Sequence, residues 1–161
     1  MDIATGLSDA SRKDVAEDLA TLLADSYSLY LKSHYYHWNV TGPNFQTLHL
    51  MFETHYNELA LAVDEIAERI RALGHAAPGT YGEFGRLSSI AEDSQPPKAE
   101  TMIANLVHDH ETVIGTARVA LAAAETASDA ASADLATRRI DTHRRRPGCC
   151  GASSSNPASG L

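Results

Sequence analysis

The chain is poor in cysteine: Cys149 and Cys150 are the only two, and they are neighbours in a Gly/Ser-rich end. Adjacent thiols build neither a CxxC pair nor a disulfide framework, so a reducing compartment is the expectation. No apolar run approaches the ~18 to 20 residues that span a bilayer. Met1 to Asp14 has neither the basic start nor the apolar centre of a signal peptide, and the protein is expected in the cytoplasm, away from membranes. Basic residues are also scarce, 13 Lys and Arg against 21 Asp and Glu, a net charge of -8. That balance disfavours nucleic acid, because affinity for phosphates needs clustered cations, and suits a protein that collects cations. No series of strands with two-residue alternation is present, which leaves an all-α class.

What the chain does have is helical periodicity over a length suited to one domain, 161 residues of which 43% are hydrophobic. Ser8-Asp9-Ala10-Ser11 offers caps, and Val15, Leu19, Leu22, Leu23, Tyr27 and Tyr30 follow at three- and four-residue spacing, predicting a first helix to about Asn39. Thr41-Gly42-Pro43-Asn44 is turn chemistry, so a second helix should begin near Asn44 or Phe45. Its apolar positions run from Leu48 through Met51, Phe52, Leu59, Ala62, Val63, Ile66 and Ile70 to a cap at Gly74. Ala76 to Pro97 holds three prolines and three glycines around Tyr81, Phe84 and Leu87. It reads as a long crossover connection containing a short helix. A third long helix is expected from Lys98 to about Glu125, a turn and cap at Thr126-Ala127-Ser128-Asp129, and a fourth from Ala131 to about His143.

Chemistry concentrates on the second helix. His49 and Glu53 are four apart, as are Asp64 and Glu68, so each pair shares a helical face one turn apart and can grip a metal. From Glu53 to Asp64 is eleven residues, close to three turns, which keeps all four roughly in line. At ~1.5 Å per residue that step is also roughly 16 Å, too far for one ion. Two half-sites result, and they meet if two copies of the helix pack antiparallel about a two-fold axis, giving a symmetric dimer with two identical centres. Mixed imidazole and carboxylate ligands suit iron, manganese or zinc, and ligand type alone does not choose among them. The competing reading is of ordinary solvated helix charges, which the acids alone would not overcome.

The ordered combination is more specific. His37-Trp38-Asn39-Val40-Thr41-Gly42-Pro43-Asn44-Phe45, then His49, Glu53 and Asp64-Glu65-Ile66-Ala67-Glu68-Arg69, closely resembles the Dps family, the starvation-induced mini-ferritins. The similarity is dense over Leu22 to Ser89 and looser through the third long helix. The resemblance implies a ferritin-like four-helix bundle in a hollow dodecamer, with Fe(II) oxidised at intersubunit di-iron centres and stored as a ferric mineral. His37, His49 and Glu53 would come from one subunit, and Asp64 and Glu68 from its neighbour. It further implies hydrogen peroxide as preferred oxidant, protection of the cell and its DNA from oxidative damage, and a cytoplasmic or nucleoid-associated location. Trp38, beside a ligand, is a candidate electron donor or radical trap, against plain packing at a helix end. No Glu is followed three residues later by His, so the Glu-x-x-His pairs that build a centre inside one bundle are missing. That argues against a di-iron oxygenase.

The remaining histidines carry less. His34, one turn before His37, is expected either to support that ligand or to be a satisfied helix residue, His55 and His75 to lie on the surface, and His108 and His110, two apart and unable to share one ion, to be structural or exposed. A DNA-compacting role with iron oxidation secondary is the alternative function. Arg144-Arg145-Arg146, with Arg138 and Arg139 nearby, is the one basic arm it has available. Beyond His143 periodicity stops. The bundle is therefore expected over residues 1–143, with 144–161 a disordered tail. In the resembling family the last helix continues as Glu-Lys-Thr-Ala-Trp-Met-Leu-Arg, and a shifted frame near His143 would account for Arg-Arg-Pro-Gly-Cys-Cys-Gly.

Overall fold

The computed structural model describes residues 6–145. They form five helices: α1 (Asp9–Asn39), α2 (Phe45–Ala72), α3 (Tyr81–Leu87), α4 (Ala99–Thr126) and α5 (Ala130–Arg144). Local chemistry sets their ends. The Ser8 hydroxyl accepts from the Ser11 N–H at the start of α1, and the Asp129 carboxylate accepts from the Ser132 N–H at the start of α5, each satisfying an orphan donor of the first turn. Past the end of α2, Gly74 takes φ 92°, a left-handed conformation that glycine adopts without Cβ strain. Thr80 and Glu83 form a reciprocal capping box on the short α3.

Four long helices pack around one core and α3 lies in the connection, the ferritin-like crossover bundle expected from the sequence. Directions follow from the pairing of polar side chains. Asp25, Lys32 and Tyr36 on α1 meet Thr116, Asp109 and Asn105 on α4, and steps of seven and four along one helix are matched by equal steps backward along the other. α1 and α4 are therefore antiparallel. His37 meeting His49 makes α1 and α2 antiparallel, and the connection returns the chain so that α4 runs parallel to α2. Asp25, fully buried, holds that connection: it accepts from Ser88 Oγ at 3.0 Å, Ser89 N at 2.7 Å and Thr116 Oγ1 at 2.6 Å. Tyr36 donates to Asp93 and accepts from Asn105, a second tie. Burial, with the Asp93 bond, pushes the Tyr36 phenol above its ordinary value.

The core joins Leu19, Leu22, Leu23 and Leu29 of α1 to Phe52, Leu59, Ile66 and Ile70 of α2, Val113 of α4 and Leu135 of α5. Each such side chain taken from water is worth about 1.5 to 3 kcal/mol before chain entropy. One placement from the sequence needs correction. His55 is 3% exposed, not on the surface, because it occupies the slot between Phe52 and Leu59 on α2's apolar stripe. It meets His110 edge-on with ring centres 5.5 Å apart. His110 Nδ1 lies 2.7 Å from His143 Nδ1, and Arg139 donates to His143 Nε2 at 3.0 Å. His110 is thus structural, while His108 is exposed and His75 half-buried. α5 runs one residue past the expected end, to Arg144. The tail expectation for residues 146–161 lies outside the described residues, and among those described no helix is long and apolar enough to cross a membrane.

Candidate metal centre

The turn at residues 40–44 folds α2 back on α1 and brings two histidines twelve residues apart into contact. His37 Nδ1 is 2.9 Å from the carbonyl oxygen of His49, and His49 Nδ1 is 2.9 Å from the carbonyl oxygen of His37. A carbonyl only accepts, so both Nδ1 atoms donate, and in the neutral rings both lone pairs are left on Nε2. The rings stack with centres 3.7 Å apart and planes 22° from parallel. Phe45 backs His49 at 5.0 Å, and Tyr56 meets His37 edge-on at 5.2 Å. Fixing the tautomer through the other ring nitrogen is how proteins prepare a metal-binding imidazole.

Glu53 lies one turn beyond His49 and is half-buried; Asp64 and Glu68 are exposed. With ~100° of turn per residue, His49, Glu53, Asp64 and Glu68 share a sector of α2 about 100° wide, and the core stripe from Leu48 to Ile70 lies opposite. Among the described residues Glu53, Asp64 and Glu68 make no side-chain hydrogen bond or ion pair, while their neighbours Glu58 and Glu65 are engaged by Arg139 and Arg138. The same sector exposes Leu50 (51%) and Leu61 (76%). The structure thus brings His37 and His49 together. Asp64 and Glu68 stand apart from them on α2, and among the described residues no three His, Cys, Asp or Glu side chains converge as a metal site.

Two residues near the centre are clarified. His34 is sandwiched, 4.1 Å from the Trp38 ring and 4.0 Å from Tyr56. Burial, then the charge of His37, lowers its pKa, which fits a neutral stacking partner. Trp38 is 61% exposed and packs on His34 rather than into the core. Tyr56 went unnoticed in the sequence. Its signal was available, since it lies seven residues after His49 and therefore on the side of α2 that faces α1.

A ferritin-like domain model matches residues 16–146. The chain is 38% identical over 123 residues to DNA protection during starvation protein 2 of Bacillus anthracis, covering 76% of this chain and 84% of that protein. It is 39% identical over 140 residues to a low temperature-induced protein of Nostoc sp., covering 86% and 78%. The crystal structure of a Dps protein from Vibrio cholerae O1, described as a member of a broad superfamily of ferritin-like diiron-carboxylate proteins, superposes with a TM-score of 0.85 at 27% identity over 88% of this chain and 89% of that one. With the crossover bundle, the paired histidines and the acidic stripe already in place, these matches assign the chain to the ferritin-like family and, within it, to the Dps proteins.

Proposed function

We propose that the protein is a ferroxidase and iron-storage protein that oxidises Fe(II), preferentially with hydrogen peroxide, at centres shared between two subunits. The observation that carries this reading is the reciprocal His37 and His49 lock between α1 and α2, two imidazoles whose Nδ1 atoms are engaged by carbonyls and whose Nε2 lone pairs are left over, with Glu53 one turn after His49 on α2 and Asp64 and Glu68 about three turns further along it. His37, His49 and Glu53 are one half of the centre. Asp64 and Glu68 are the half offered to a partner, and Leu50 and Leu61 are the apolar contacts between copies. A two-fold dimer then holds two centres, and such dimers build the proposed dodecamer.

In each turnover two Fe(II) substrates give up one electron each, the O–O bond of peroxide takes the pair, and with two protons it leaves as two waters. Taking both electrons at one site avoids release of hydroxyl radical. The carboxylates favour the ferric product by charge, and the imidazoles keep affinity for Fe(II). Trp38, packed on His34, is the proposed radical trap, giving one electron to an oxidising radical that escapes when only one Fe(II) is bound and the pair cannot be delivered together. DNA protection is read as chemical, through removal of Fe(II) and peroxide in the cytoplasm. Among the described residues Arg69, Arg138, Arg139 and Arg145 each pair with a carboxylate, which supports the chemical reading over a direct basic contact with DNA. Anaerobic Fe(II) loading followed by peroxide, monitored by ferric absorbance, tests the reading. The His37→Ala/His49→Ala double variant should lose the fast phase, and oxidation at the wild-type rate in that variant would refute the site.

A further inference from the structure

Between α2 and α5 runs a seam of guanidinium groups on a face of α2 that the metal half-sites do not use. Glu58, Glu65 and Arg69 fall in a sector about 40° wide, between the core stripe and the ligand sector, at spacings of seven and four. Arg69 donates from Nε to Ser132 Oγ at 2.8 Å and from Nη2 to Asp129 Oδ1 at 2.6 Å. Its partners are the N-cap of α5 and a first-turn residue, 5% and 0% exposed. Arg138 of α5 reaches back in a two-pronged bond to Glu65, one prong at 3.1 Å. Arg139 does the same to Glu58. Glu65 directly follows Asp64, and Arg69 directly follows Glu68.

We propose that Arg69 and Glu65 are positioning residues, fixing the rotation of α2 about its own axis so that Asp64 and Glu68 are presented to the partner's histidine half. The proposal rests on the shared-centre function above. A carboxylate carried roughly 6 Å from the helix axis moves about 1 Å for a 10° rotation of the helix. Metal–oxygen bonds tolerate only about 0.2 Å. Apolar packing of the core stripe fixes the depth of a helix better than its rotation, because it lacks direction. The Arg138–Glu65 fork and, one turn along α2, the Arg69 fork to Asp129 and Ser132 supply the direction. Asp64 and Glu68 are exposed within one subunit and have no packing of their own to hold them, so the seam performs for this half what the carbonyl lock performs for the histidines.

The test is anaerobic titration of the full-length protein with Co(II), read by its ligand-field absorption, alongside native mass for assembly and Tm for stability. Wild type should bind, and Asp64→Asn/Glu68→Gln should weaken binding strongly. Arg69→Met should weaken it about tenfold, the range seen for outer-shell partners of metal ligands, with an altered Co(II) spectrum and retained assembly. Glu65→Gln, at a more exposed pair, should show the same change in smaller degree and carries the test if Arg69→Met does not fold. Val113→Ala, a core variant away from the seam, should lower Tm comparably and leave Co(II) affinity unchanged. If wild type does not bind, or the acid variant binds equally well, the shared-centre function itself fails. If those two behave as expected but Arg69→Met and Glu65→Gln match wild type, or Val113→Ala weakens binding as much as Arg69→Met, the positioning role is overturned alone.

Discussion

If one chain supplies two half-sites and never a whole one, two dead variants should rescue each other. One variant, His37→Ala/His49→Ala, loses the first half; the other, Asp64→Asn/Glu68→Gln, loses the second. In an antiparallel two-fold dimer each centre joins the first half of one chain to the second half of the other. Every centre in either homodimer is then broken. In the mixed dimer one centre combines both defects and the other combines both intact halves. Random mixing makes half of the dimers mixed, and half of their centres are whole, so activity should return to about a quarter of wild type, a figure that comes from the symmetry alone. A centre contained within one chain gives none, since no chain has both halves intact. The assay is to unfold and refold the two variants together, confirm mixed dimers by native mass spectrometry, and follow peroxide-driven Fe(II) oxidation. Mixed dimers with no recovered activity would refute the split site.

Two further outcomes are set by the buried charges. Lys32 and Asp109 pair at 2.7 Å with side chains 9% and 4% exposed, so Lys32→Met leaves an uncompensated acid and should cost about 3 to 5 kcal/mol at pH 7. Burial, outweighing Lys32, raises the Asp109 pKa. The folded variant therefore takes up a proton more readily than the unfolded chain, and the penalty should shrink as pH is lowered toward the ordinary carboxylate range. Urea midpoints equal to wild type at pH 7 would refute this. Burial alone would raise Asp129, but bonds from Arg69 and Ser132 prevail and hold it below its ordinary value, and Arg138 does likewise for Glu65. Depressed acids stabilise the fold above their unfolded pKa values and lose that contribution as pH falls through the folded ones. Amide protection in the first turn of α5 should therefore hold above a pH of about 4 and fall below it, whereas protection independent of acid would count against the Arg69 clamp.

The helix ends were legible because capping is local. Ser8 and Asp129 carry their own acceptors, and Gly74 its own freedom of φ. The candidate metal residues stand out in the sequence because their four-residue spacing lies within one helix and a recognisable turn links them to His37, and the structure bears out the part of that pattern that brings His37 and His49 together. What the sequence hid was assembled across helices. Asp25 meets Thr116 over 91 residues, and the His55, His110 and His143 cluster draws on three helices. Nothing in the spacing of one helix reveals the other two. His55 is the exception: positions 48, 52, 55, 59, 62, 66 and 70 form one unbroken stripe, so its place in the period marks it as core although its side chain is polar.

The division of α2 into three faces is what makes a shared centre the economical reading of this chain. Its core face is filled by Phe52, His55, Leu59, Ile66 and Ile70. Its α5 face is filled by Glu58, Glu65 and Arg69, each with a partner. The third face holds His49, Glu53, Asp64 and Glu68 together with Leu50 and Leu61, and within one subunit nothing covers the two leucines, which stay 51% and 76% exposed. Exposed leucines argue for a protein partner, and free acids on the same face argue for a cation. A second copy of α2 laid antiparallel satisfies both demands with one contact, because the leucines bury against it while the distant acids of each chain reach the histidine pair of the other. Among the described residues the seam contacts of that proposal reach α5 between Asp129 and Arg139, ahead of the change in sequence character at Arg144, so the proposed presentation of Asp64 and Glu68 draws on residues within the bundle.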